Sequence, residues 1–223
     1  MGIQFQKEVE LLKKRLLTLS TAVEEQLVNA CTALLKGNSE LADQVVAQDE
    51  NVDTLEVHVE EECLKILALY QPVSTDLRFI VSALKINNDL ERIGDLAVGI
   101  ARRAQFLHSF GKEIFPACMQ EMFERTRQML RKSLNSLVEL DVEAARQVCQ
   151  EDERVDALNR EVQTQASSMI APGSESVRAA MDIIFVAKNL ERIADLSTNI
   201  AEDVIYVVQG EIVRHGRREQ SGR

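Results

Sequence analysis

The sequence predicts an all-α protein, a tandem repeat of two up-down-up three-helix bundles built from six long helices. Three observations predict it. Apolar residues recur every seven positions as Phe79, Ile86, Ile93, Ile100 and Leu107, with Ala83, Leu90, Ala97 and Ala104 four positions after the first four, which is the stripe of a long helix packed in a bundle. The pattern returns in the second half as Ala179, Val186, Ile193, Ile200 and Val207, and Asn189-Leu190-Glu191-Arg192-Ile193-Ala194-Asp195 there echoes Asp89-Leu90-Glu91-Arg92-Ile93-Gly94-Asp95. Finally, three prolines, nine glycines, seven phenylalanines, two tyrosines and no tryptophan in 223 residues leave strand-rich folds short of turn residues and of their preferred side chains.

The first helix is expected from Gln4 to Lys36, on the stripe Val9, Leu12, Leu16, Leu19, Val23, Leu27, Ala30 and Leu34. Gly37 stops it, and Asn38 caps a second helix running to Tyr70. Gln71-Pro72 ends that one, because the residue before proline is pushed out of the helical region. The third helix follows from Ser74 or Thr75. Ser109 to Phe115 contains Gly111, loses the periodicity and reads as the linker between halves, ending at Pro116. A fourth helix carries Met119, Met122, Thr126, Met129, Ser133, Leu137 and Leu140. Asp141 caps a fifth as Asn38 caps the second, and Ala171-Pro172-Gly173 separates it from the sixth. The expected division is residues 1–110, residues 111–210 and a basic, disordered tail over 211–223.

A net charge of −10 argues against nucleic acid, whose phosphates most of this surface would repel, and favours cations or basic protein surfaces. No apolar run approaches the roughly 20 residues of a membrane span, so the chain reads as cytoplasmic. Cys31, Cys63, Cys118 and Cys149 show no CxxC spacing and read as thiols in a reducing compartment.

The candidate chemistry is acidic. Glu91 and Asp95 lie about 160 to 200° from Ile93 around the helix, so both carboxylates leave its non-core side one turn apart, with Asn88 beside them. Glu191 and Asp195 repeat them. The second helix of each half adds a pair, Asp49 with Asp53 and Asp152 with Asp156, placed to converge with the third-helix pair of the same bundle or of a docked neighbour. Carboxylates one turn apart on two helices can bridge cations and leave positions for water. The bland reading is a solvated face paired with Arg92, Arg102, Arg154 and Arg192. Arg78 and Arg178, six residues beyond each proline, are candidates for docking an anion or for salt bridges that pin the turn. Leu77, Leu84, Val177 and Ile184, upstream of the acids, read either as an interface or as part of each half's core.

Gln71-Pro72-Val73, Asp76-Leu77-Arg78, Glu91-Arg92-Ile93-Gly94-Asp95 and the echo Glu191-Arg192-Ile193-Ala194-Asp195 resemble the PhoU family of bacterial phosphate-transport regulators, over residues 5 to 209. The resemblance implies two three-helix bundles about a pseudo-twofold axis. It implies surface clusters of iron or zinc, with manganese or magnesium as alternatives, on Asp49, Asp53, Glu91 and Asp95 and on Asp152, Asp156, Glu191 and Asp195. Asn88, Arg78, Arg178, Arg92 and Arg192 become supporting or partner-facing residues. Position 188, where the repeat would place asparagine, is Lys188. By the same resemblance the protein is not an enzyme but a homodimeric negative regulator of phosphate uptake and starvation signalling, an adaptor between the ATPase of a phosphate ABC transporter and a sensor histidine kinase, touching the membrane only through them. A carboxylate-bridged metalloenzyme and a metal-free helical scaffold are the competing readings.

Overall fold

The computed structural model describes residues 2–111, 114–170 and 174–211. The second proline turn, Ala171 to Gly173, and residues 212–223 of the expected tail lie outside the described residues. The helices are α1 (Ile3–Lys36), α2 (Ser39–Ala47), α3 (Asp49–Tyr70), α4 (Ser74–Ala101), α5 (Ala104–His108), α6 (Cys118–Glu139), α7 (Val142–Ser168) and α8 (Ser174–Gln209). Among the described residues there is no strand, and no helix is long and apolar enough to cross a membrane.

Two of the six expected helices are interrupted. The second bends at Gln48, whose carbonyl takes the N–H groups of both Asn51, at 3.1 Å, and Val52, at 3.4 Å; this tightened turn separates α2 from α3. The third breaks at Arg102–Arg103. There the Arg103 guanidinium donates to the Gly99 carbonyl at 2.7 Å, the acceptor its own N–H would use in a continuing helix, and that N–H turns to Ile100 at 3.1 Å. The competing bond detaches α5.

Caps follow the expected residues. The Asn38 side chain accepts from the Leu41 N–H at 3.0 Å, and Asp141 accepts from Glu143 and Ala144 at 2.9 and 3.0 Å. α1 ends at Gly37 in the left-handed region, φ 67°, and α6 ends at the corresponding Leu140, φ 52°. Gln71 leaves α3 left-handed, φ 44°, so the chain exits the right-handed helix ahead of Pro72.

α1, α3 and α4 form one bundle and α6, α7 and α8 the other, packed through α4 against α8 and α1 against α6. α4 and α8 run antiparallel in a symmetric register. At one end Arg78 donates to the Val207 carbonyl at 3.4 Å and Lys85 pairs with Asp203 at 3.2 Å, lying over the Tyr206 ring. At the other, Arg178 lies over Phe106 and Arg103 meets Asp182 at 3.3 Å while stacking on Phe185. Positions 78 and 207 at one end thus answer 178 and 106 at the other, which places a pseudo-twofold axis near Arg92–Ile93 and Arg192–Ile193. Most of each apolar stripe is buried, with Ile86, Ile93, Ile100 and Leu107 at 0% exposure, whereas Leu140, expected on the fourth helix's stripe, is its left-handed end and stays 42% exposed; one continuous core runs through both halves.

Candidate functional site

The fold leaves a groove between the second and third long helices of each bundle. In the first half α3 contributes Asp49 and Asp53, and α4 contributes Glu91 and Asp95. Contacts bring the two helices' acids near one another: Gln26 holds Asp49 and lies 3.0 Å from where a Cβ of Gly94, next to Asp95, would stand, and Asn87 of α4 holds Glu56 of α3. The Glu91 carboxyl is pushed above its ordinary range first by burial, then by the negative charges of Asp95, Asp53, Glu56 and Asp49. Asp95 is raised by burial and then by Asp49 and Asp53, with Arg102 opposing. Convergence is therefore within one bundle.

Glu56 is a fifth acid of this groove that sequence reasoning missed. It stands two turns after Asp49 on α3, and its carboxyl is raised by burial and then by Glu60 and Asp53. Asn87, buried, donates to the Glu56 carboxylate at 2.7 Å and to its carbonyl at 3.0 Å. Gln26, from the buried side of α1, donates to Asp49 at 3.2 Å and to the Val45 carbonyl at 3.4 Å. The available signal is a polar Gln26 beside an otherwise apolar stripe. Its Oε1 has no hydrogen-bond partner, and a Cβ on Gly94 would stand 3.0 Å from it. Gly94 thus gives the glutamine room beneath the acids.

The second groove repeats the four expected acids. Asp152, on α7, is raised by burial and then by Asp156 and Glu191. Asp195, on α8, is pushed up to about 6 by burial, then by Glu191, Asp152 and Asp156, with Lys188 opposing. Lys188 donates to Glu191 Oε1 at 2.5 Å, whereas Glu191 Oε2 is buried without a hydrogen-bond partner.

Of the arginines expected to neutralise these acids, Arg102 acts on Asp95 without forming an ion pair to it, while Arg92 and Arg154 turn to other acids. Arg92 stands 3.9 Å from Asp89, and Arg154 reaches Glu121 at 2.9 Å. Among the described residues, Lys188–Glu191 is the one ion pair formed by any of the eight acids. Asn88 and Arg192 are exposed beside their grooves. Arg78 and Arg178 pin the two halves together, through Val207 and Phe106, and Arg78 also donates to Thr75 beside the first proline turn at 3.3 Å. Leu84 and Ile184 pack on the core, while Leu77 and Val177 stay 40% and 43% exposed.

The donor sets are all oxygen, which suits hard cations and fits a metal site in chemistry. As the side chains stand, no three His, Cys, Asp or Glu among the described residues close on one point able to hold an ion. The first set is instead spread over about two turns of α3 and one turn of α4, and the second over about one turn each of α7 and α8.

Fold and grooves together define a duplicated three-helix-bundle protein carrying an acid-lined groove in each half. The PhoU domain family model matches twice, over residues 16–104 and 119–204, and the chain belongs to the PhoU family. It is 38% identical over 216 residues, 95% of this chain and 88% of the relative, to a Pseudomonas aeruginosa protein named phosphate-specific transport system accessory protein PhoU homolog. It is 33% identical over 214 residues to the Escherichia coli K12 phosphate-specific transport system accessory protein PhoU, again covering 95% of this chain and 88% of the relative. The crystal structure of PhoU from Pseudomonas aeruginosa superposes with a TM-score of 0.87 at 34% identity, over 93% of this chain and all of that one. The Streptococcus pneumoniae phosphate transport system regulatory protein PhoU gives 0.86 at 27% identity, over 95% of this chain and all of that one.

Proposed function

We propose that this chain is a negative regulator of phosphate uptake and phosphate-starvation signalling, a metal-binding adaptor between the ATPase of a phosphate ABC transporter and a sensor histidine kinase. The relatives' names support the phosphate-transport role. The observation that carries the metal part is the convergence of Asp49, Asp53, Glu56, Glu91 and Asp95 without an ion pair to offset them. Like charges gathered by a fold destabilise it, and a hard cation shared among them reverses the sign of that interaction. Iron or zinc, with manganese or magnesium as alternatives, would be held by the four family-matched acids of a half, and would supply positive charge that orders the groove for a partner. The protein acts in the cytoplasm as a homodimer, where both partners present their soluble domains.

The test is elemental analysis of protein purified without chelator or metal-affinity resin, beside the variant Glu91→Gln, Asp95→Asn, Glu191→Gln, Asp195→Asn. Metal in the wild type and its loss from a still-helical variant are expected. Pull-down of the ATPase and the kinase is then measured with and without metal, and sedimentation velocity reports the dimer. Metal-independent capture of both partners would leave the adaptor role standing and remove the metal from it.

A further inference from the structure

Several of the residues that surround the acids differ between the two grooves, although Arg92 and Arg192 match. The repeated acids pair Asp49 with Asp152 and Glu91 with Glu191. The helices of the second half are therefore offset by 103 positions up to the proline turn and by 100 after it. Glu56 of the first groove becomes Asn159, whose Oδ1 accepts from Gln163 at 3.0 Å. Asn87 becomes Ala187, Gln26 becomes the buried Met129, and Gly94 becomes Ala194. The glutamine that holds Asp49 and the glycine that makes room for it are lost together. Asn88 becomes Lys188. Each of these changes either removes an oxygen ligand or its support, or adds a positive charge, whereas Arg102, which opposes the other acids at Asp95, becomes Glu202, a change of the opposite sign.

We infer that Lys188 is the built-in counter-cation of the second groove, standing where a metal would, so that the chain binds metal in the first groove alone. The inference rests on the metal reading above and narrows it. The ammonium, one turn before Glu191 on α8 and on a side chain 45% exposed, meets Glu191 at 2.5 Å, where the carboxylate keeps 13% side-chain exposure; charge-assisted hydrogen bonds are the stronger ones. A divalent ion entering between Asp152, Asp156, Glu191 and Asp195 would face a tethered like charge and would have to strip Glu191 of its donor. The first groove presents five carboxylates; Arg102 acts on Asp95, but among the described residues no cation forms an ion pair with any of the five. Because Glu191 Oε2 has no donor, removing the ammonium leaves both oxygens of Glu191 open beside three more carboxylates, a donor set like that of the first groove.

The measurement is the metal-to-chain ratio after dialysis against zinc(II) and, separately, manganese(II), with helicity of each variant checked by circular dichroism. Glu191→Gln with Asp195→Asn should leave the wild-type ratio unchanged, and Glu91→Gln with Asp95→Asn should reduce it to background. Lys188→Asn should double it, and Lys188→Arg, which keeps the cation, should not alter it. Loss of metal from the wild type on neutralising Glu191 and Asp195 overturns this inference and leaves the metal reading intact, as does an unchanged ratio in a folded Lys188→Asn protein. No metal in any variant overturns both.

Discussion

At the scale of single residues, the backbone conformation and the charge environment of particular side chains decide what substitutions do. Gly37 is left-handed, and a Cβ built on it would lie 2.0 Å from His108 Nδ1. Gly37→Ala therefore combines an αL penalty of about 1 kcal/mol or more with displacement of a packed ring. A lowered denaturant midpoint is expected, with a total cost above about 2 kcal/mol, read from urea melts. Leu140 shows that the backbone angle alone is tolerated: it sits at φ 52° and is 42% exposed, so the His108 ring is what makes position 37 a glycine.

The acids of the grooves give the pH dependence its sign. Asp195 is raised to about 6 in the folded chain, and Glu56, Glu91, Asp95 and Asp152 shift the same way. Between about pH 4, near the ordinary carboxylate range, and pH 6 the folded state then holds more protons than the unfolded one, so stability falls as pH rises. Metal-free protein in chelator should melt at a higher temperature at pH 5 than at pH 7.5. Asp195→Asn should flatten that difference and raise the pH 7.5 melting temperature. A melting temperature that climbs steadily from pH 5 to 7.5 in chelator would contradict the shared repulsion.

At the scale of elements, boundaries are set by capping and by competition for carbonyls. Asp141 satisfies two otherwise unpaired N–H groups at the start of α7, so Asp141→Ala should cost about 1 kcal/mol, seen as a shift in denaturant midpoint at unchanged slope. α5 exists because Arg103 folds back onto the Gly99 carbonyl. The same side chain then reaches Asp182 and Phe185 on α8, so a local interruption of α4 is also a contact between the halves.

At the scale of the whole molecule, the antiparallel α4–α8 pairing makes one core out of two bundles. Buried apolar area shared across that interface couples the halves, and such coupling produces a single cooperative transition. Calorimetric and van't Hoff enthalpies should therefore agree for the wild type. Arg103→Ala removes the ion pair and the ring stacking at one end while Lys85–Asp203 remains at the other. It should lower the melting temperature, and two resolved transitions in the wild type would show that the halves unfold independently.

Much of this architecture is legible in the order of the amino acids. The heptad stripe of α4 is buried as the periodicity requires, because a helix of 3.6 residues per turn has one face to hide and a packed core accepts only that face. Asn38, Asp141 and Gly37 announce their caps for local reasons, since a cap needs only its neighbours. The four acid pairs are equally legible, being repeats at fixed helical spacing. What a one-dimensional pattern does not express is contact between separate elements. Glu56 reads as one more surface acid until α4 brings Asn87 and Glu91 against it. Gln26 belongs to a different helix from the acid it holds. Arg78 and Arg178 read as pins for a turn and also reach across the pseudo-twofold axis. The sequence alone determined the helices, their duplication and the acid inventory, because these follow from local geometry and periodicity. Lys188 and Glu191 are an i,i+3 pair within α8, so that contact too is local. Tertiary structure alone decided which carboxylates share a groove, because those distances close only when the helices pack.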